Sequence, residues 1–217
     1  MKIALIGATG FVGSQVLTEL VGRGHEVTAI SRNPEKLITD DKLVTSKKGD
    51  VLNEQEVAKL VEGHDAVISA YNPGWTNPDP YNEFLNGAQA IQAGVKKSGV
   101  KRLLVVGGAG SLEVAPGLQL IDTPQFPQEY KAGASAAREY LNILKKETEL
   151  DWTFLSPAIE MHPGIETGRT GKFRLGADNP VFDATGRSSL SVQDLAVAIV
   201  DELENNKYPQ QRFTAGY

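Results

Sequence analysis

The sequence of 217 residues contains no cysteine. That absence excludes disulfides, thiolate metal sites, iron–sulfur clusters and thiol nucleophiles together. Histidine is scarce: His25, His64 and His162 are too scattered to build a metal cage, so no metal site is expected. Positive charge is not in excess, since 22 Lys+Arg face 27 Asp+Glu and the formal net charge is -5. Nucleic-acid recognition rests on clustered Lys and Arg, so no such partner is expected. The pairs Lys47-Lys48 and Lys96-Lys97 read as solvated faces. No apolar run approaches the ~20 residues that cross a bilayer, so no membrane partner is expected either. The first six residues run straight into Gly7, too short a stretch for a secretory signal, which predicts a cytoplasmic location. Neither Gly-x-Ser-x-Gly nor Gly-x-x-x-x-Gly-Lys-Ser/Thr occurs, so serine hydrolase and P-loop chemistries lack their nucleophile and phosphate cradle.

What is present fits a globular chain with a sizeable core: 41% of residues are hydrophobic and 23% charged. A single domain spanning residues 1–217 is predicted, without repeat, low-complexity tract or linker. Strand-length apolar segments at 3–6, 27–30, 43–45, 66–70, 102–106 and 152–155 alternate with helical patterns. Val16, Leu17 and Leu20 mark the first helix, and Asn53 with Glu56 resembles a capping box opening a second at 54–61. Phe84, Ala88, Ile91 and Val95 give residues 80–98 one apolar face, and Ala137, Leu141 and Leu144 do the same for a later helix. Parallel strands need such crossovers. The fold class is therefore α/β, a Rossmann-like doubly wound parallel sheet of order 3-2-1-4-5-6 with a small carboxyl-terminal substrate-side portion. In that tail, residues 167–175 read as a small hairpin, Ser191 caps a last helix, and 212–217 read as an extra edge strand.

The most specific motif is Gly7-Ala8-Thr9-Gly10-Phe11-Val12-Gly13, placed between the first strand and first helix. Gly7 permits the sharp turn, Gly10 lets backbone amides approach a pyrophosphate, and Gly13 lets helix and strand pack closely. The helix start at Phe11 and Val12 offers free N–H groups and a positive dipole end. The competing interpretation is a plain strand-to-helix turn. An acid at the end of the second strand would hydrogen-bond the ribose of NAD, but residues 30–33 read Ile-Ser-Arg-Asn. Arg32 can engage a 2′-phosphate bidentately and Ser31 can donate a further bond. NADP(H) is thus preferred and NAD(H) tolerated, unless Arg32 is an ordinary loop arginine.

The glycine motif, the Ser31-Arg32-Asn33 turn, Gly49-Asp50-Val51, Gly107 to Ser111, and Leu155-Ser156-Pro157-Ala158 together resemble the atypical short-chain dehydrogenase/reductases. The nearest resemblance is to the NAD(P)H-binding group described as candidate NADH-flavin reductases, similar also to biliverdin reductase B and the NmrA-like proteins. It covers essentially the whole chain. The resemblance implies that Asp50 contacts adenine, that Ser69, Ala70 and Tyr71 line the cofactor with Gly107, and that Pro157 lies near the nicotinamide. For Asp50 a plain turn role stays open.

One departure decides the chemistry. Short-chain dehydrogenases use a Tyr-x-x-x-Lys pair as acid/base, yet Tyr130 is followed four residues later by Ala134 and Tyr140 by Leu144. Hydride transfer itself needs no protein acid. The function expected is therefore NADPH-dependent reduction of a flavin, quinone or similar planar acceptor. Two other functions compete. One is a non-catalytic NADP(H)-sensing regulator of the NmrA-like kind, which would touch a protein partner; the other is a sugar-nucleotide epimerase, whose relatives usually keep the tyrosine pair. The acceptor pocket is expected outside the carboxyl ends of the strands. Tyr71 and Trp75 offer aromatic faces there, Trp75 competing as a core plug, and residues 112–126 read as a lid. Ser111 is either a hydrogen-bond donor to the acceptor or a turn former, and His162 either a proton donor or incidental.

Overall fold

Met1 begins a segment that is buried almost at once: β1 (Lys2–Ile6) has four consecutive buried residues, as a strand covered on both faces requires. The computed structural model describes every residue except Ile38 and Trp75. The strands β2 (Glu26–Ser31), β3 (Val44–Lys48), β4 (Ala66–Ser69), β5 (Arg102–Val106) and β8 (Asp151–Ser156) join β1 in the parallel order β3-β2-β1-β4-β5-β8. This is the Rossmann-like order read from the sequence. β10 (Gln211–Gly216) then adds parallel to β8, and β9 (Arg174–Gly176) closes that side antiparallel to β10.

Helices cover both faces. On one, α1 (Phe11–Gly22) and α5 (Val192–Asn205) pack over Ile3, Leu5, Leu155 and Phe213. On the other, α2 (Glu54–Val61), α3 (Pro80–Ser98) and α4 (Lys131–Leu144) pack over Ile6, Val67, Leu103 and Phe154. Each α3 anchor, Phe84, Ala88, Ile91 and Val95, is buried as its spacing predicts. The helix starts where Asp79 accepts from the Asn82 amide and Pro80 fills the first turn, and it stops at Gly99, whose φ of 83° is left-handed.

Four local expectations are corrected. Asn53 does cap α2, accepting from the Gln55 and Glu56 amides, but Glu56 reaches back to the Asp50 amide, not to Asn53. The third strand starts one residue late and runs on to Lys48. No hairpin forms at 167–175. The wholly buried carboxylate of Asp194, at the start of α5, accepts from the Thr170 and Gly171 amides at 2.8 Å and the Thr170 hydroxyl at 2.5 Å. That wraps the segment around the helix, leaving Arg174–Gly176 to pair with β10. Consequently the last strand is interior, not an edge. The stretch 112–126 also contains a two-stranded hairpin, β6 (Glu113–Ala115) with β7 (Leu118–Gln119). Among the described residues, no helix is long and apolar enough to cross a membrane, and no group of His, Cys, Asp or Glu is placed to hold a metal.

Candidate active site

The turn after β1 is built around two glycines with no room for a side chain. Gly7 has φ 83°, and a Cβ there would stand 2.5 Å from the Ala70 carbonyl oxygen at the exit of β4. A Cβ on Gly13 would lie 2.0 Å from the carbonyl oxygen of Gly7, which sets how closely α1 approaches β1. Gly7 N–H donates to the Ile30 carbonyl at 2.9 Å, and Gly10 N–H to the Gly7 carbonyl at 3.0 Å. Gly10 begins α1 with extended backbone and no side-chain cap. The first-turn amides therefore lack a local acceptor, and an anion can satisfy them. Thr9 and Val12 are half-buried beside this turn, while Phe11 stays 42% exposed. This cradle fits the diphosphate of a dinucleotide, with Gly7, Gly10 and Gly13 shaping it.

The ends of β2, β3 and β4 supply the next residues. Ser31 is buried and its carbonyl accepts from the Gly49 amide at 3.1 Å. Arg32 is exposed and makes no ion pair among the described residues. Asp50 closes a tight turn, its Oδ1 accepting from the Leu52 amide at 3.0 Å. That turn leaves Leu52 52% exposed, an apolar surface beside Asp50 that the sequence reading missed. Ser69 is buried at the end of β4, followed by half-buried Ala70.

Tyr71 is turned onto α3. Its hydroxyl donates to the Glu83 carbonyl at 3.1 Å, its ring stacks on Phe84 at 6.1 Å, and Gly87 leaves the space it needs, since a Cβ there would stand 2.4 Å from the ring. Burial above all pushes the phenol up to about 12, with the Glu83 charge adding and Arg32 opposing. Arg32 and Asp50 both bias this hydroxyl, so the three residues share one electrostatic neighbourhood. One face of the ring is thus committed to Phe84. Trp75, expected as a second aromatic face or a core plug, lies outside the described residues.

On the far side, Gly107 follows β5 because a Cβ would overlap the Phe154 ring at 1.8 Å, and its amide donates to the Leu155 carbonyl. Pro157 is buried just past β8. Ser111 is only 2% exposed. Its hydroxyl and carbonyl accept from Arg212 Nη1 at 3.0 and 2.8 Å. Sequence reasoning missed Arg212; the available signal was a cation inside an otherwise uncharged strand. His162 is exposed, its Nδ1 accepting from the Gly164 amide within its own turn, and no hydrogen bond joins it to Ser111 among the described residues. Tyr140 is no substitute for a catalytic tyrosine. It is buried in the core, and that burial holds its phenol far above the ordinary range.

The chain is similar to known proteins over its whole length. The protein YwnB of Bacillus subtilis is 40% identical over 216 residues, covering 99% of this chain and 97% of its own. A solved structure from Bacteroides thetaiotaomicron, described as a candidate epimerase, is 49% identical with a TM-score of 0.92, covering 100% of this chain and 96% of that one. One from Streptococcus pneumoniae, described as a candidate NADH-flavin reductase, is 33% identical with a TM-score of 0.84, covering 100% and 99%. The family model described as NAD(P)H-binding matches residues 7–206, starting on the very glycine that turns β1 into α1. A glycine cradle on a parallel sheet and a match over nearly the whole chain lead to one assignment: this chain belongs to the NAD(P)H-binding family.

Proposed function

We propose that the protein is an NADPH-dependent reductase of a flavin, quinone or similar planar acceptor. The carrying observation is Arg32, exposed and without an ion-pair partner among the described residues, at the end of β2, where no acid stands to take a ribose hydroxyl. A guanidinium there favours a 2′-phosphate, with Ser31 beside it. Gly7, Thr9, Gly10, Phe11, Val12 and Gly13 hold the diphosphate, Asp50 and Leu52 flank the adenine, and Ser69, Ala70, Tyr71, Gly107 and Pro157 line the path to the reactive ring. When bound, the nicotinamide supplies the hydride. The chain's own part is to orient the reactants and exclude water.

No Tyr-x-x-x-Lys pair is present, Tyr140 is sealed in the core, and Ser111 is held by Arg212. These features favour an acceptor whose second proton comes from water. They equally favour the NADP(H)-sensing regulator, which remains the second reading. A cytoplasmic setting and a one-domain chain belong to the proposal. The test is the decay of NADPH absorbance with FMN, FAD, riboflavin and a quinone panel. Turnover supports the reductase. No turnover, with NADPH binding retained in calorimetry, overturns it in favour of the sensor.

A further inference from the structure

One face of β10 and β8 carries buried polar groups, two of them without partners among the described residues. Arg212 and Thr214, two residues apart, share that face, and Ser156 on β8 is the register partner of Thr214. Ser156 and Thr214 are wholly buried, and neither hydroxyl has a hydrogen-bond partner among the described residues. The Arg212 side chain is only 4% exposed. Its guanidinium donates through Nη1 to Ser111 and through Nε and Nη2 to Asp178, at 3.0 Å for Nε. The face is covered by residues 177–181. Val181 packs against Gly176 and Gly216 within 3.0 Å of where a Cβ on either would stand, and the Asp178 carbonyl accepts from the Glu113 amide.

The imbalance lies in the ion pair. A buried cation needs a counter-charge, yet its partner Asp178 is 59% exposed, on an irregular segment. Releasing that carboxylate to water costs Asp178 little but leaves Arg212 uncompensated, so the pair can open only where another anion takes its place. Two idle hydroxyls stand on the same face, on the side of β10 toward the carboxyl ends of the strands.

Resting on the reductase reading, we infer that Arg212, Ser156 and Thr214 form the subsite for an anionic oxygen group of the acceptor. Asp178 occupies the cation until that group displaces it. The acceptor class is narrowed accordingly, to planar acceptors bearing a phosphate or carboxylate. Arg212 is then a specificity residue that also ties the subsite to Ser111 on the loop after β5.

FMN and riboflavin share one ring system and differ in the phosphate; a naphthoquinone with and without a carboxylate tests the other source of charge. Binding is read by quenching, flavin fluorescence for the first pair and protein fluorescence for the second, with the protein saturated in NADP⁺. Asp178→Ala is expected to tighten the charged member of at least one pair by about tenfold and leave its neutral member unchanged; which pair responds identifies the group. Thr214→Val keeps the side-chain shape and removes an idle hydroxyl, so thermal stability should hold or rise while the charged probe binds about threefold to tenfold more weakly. The inference is overturned if neither variant changes the charged-to-neutral ratio in either pair, or if neither charged probe binds Asp178→Ala. Because binding is read, these results are distinct from absent turnover, which would remove the reductase reading.

Discussion

The carbonyl oxygen of Gly7 lies 2.0 Å from the point where a Cβ on Gly13 would sit. Strand and helix therefore touch backbone to backbone at the mouth of the proposed cofactor cradle, and a methyl group cannot be absorbed by side-chain movement. Gly13→Ala is expected to cost about 1–3 kcal/mol of stability and to abolish NADPH binding. Gly22, at the far end of the same helix with open space around it, is the control. Gly22→Ala should leave binding intact and add roughly 0.5–1 kcal/mol. Urea midpoints and titration calorimetry check both.

Arg32→Ala is expected to weaken NADPH about tenfold to a hundredfold, matching the loss of charge-assisted hydrogen bonds of ~1.5–3 kcal/mol, while NADH binding stays within about twofold. Dissociation constants for both coenzymes on both proteins decide it. Equal weakening of the two would mean that Arg32 does not read the 2′-phosphate.

Acid should loosen the seam between α1 and the tail. The Glu19 carboxyl is held below its ordinary value of 4.5, first by the hydrogen bond from Arg169 and further by Arg23, against the opposing effect of burial. A carboxyl lowered in the folded state stabilises fully above its unfolded value, and that contribution is lost as pH falls through the folded one. Glu19→Gln should thus be about 1–2 kcal/mol less stable near pH 6, a modest figure because Arg169 is more than half exposed. Melting temperatures of parent and variant should converge below the ordinary carboxyl value.

Deeper in the molecule, Glu202 accepts from Arg102 Nη2 at 2.8 Å, from the Thr153 hydroxyl at 3.1 Å, and from the Lys207 and Tyr208 amides at 3.0 and 3.1 Å. It fastens α5 to β5 and β8. Glu202→Ala leaves buried Arg102 with only the Asp151 carboxylate, 3.6 Å from Nη1, as counter-charge, so a loss of about 2–4 kcal/mol is expected in urea denaturation. NADPH affinity of the folded fraction should not change.

The central sheet was legible because its signals are local. A buried parallel strand is a short apolar run, and the glycines at 7, 10 and 13 report their own turn. Helix bounds such as 80–98 and 54–61 followed from caps and spacing. What escaped were pairings distant along the chain. Nothing near Arg212 points to Asp178 or Ser111, and nothing in the turn residues at 167–172 reveals that Asp194 captures their amides. A hairpin pattern was therefore read where a loop wraps a helix. The setting of Tyr71 was only half legible: its position after β4 was read from the sequence, but that Phe84 and Gly87 claim one side of its ring depends on how α3 docks.

The two flanks of the sheet are finished differently. β3 exposes Thr45, Ser46, Lys47 and Lys48, and β9 is three residues long. Arg174 on β9 reaches across to the carbonyls of Phe182 and Tyr217. Lysines repel an incoming strand, and so short a ladder gives it too few bonds to grip. Templated addition of a further strand is thereby disfavoured on both flanks, so concentrated stocks should resist edge-to-edge association through long storage.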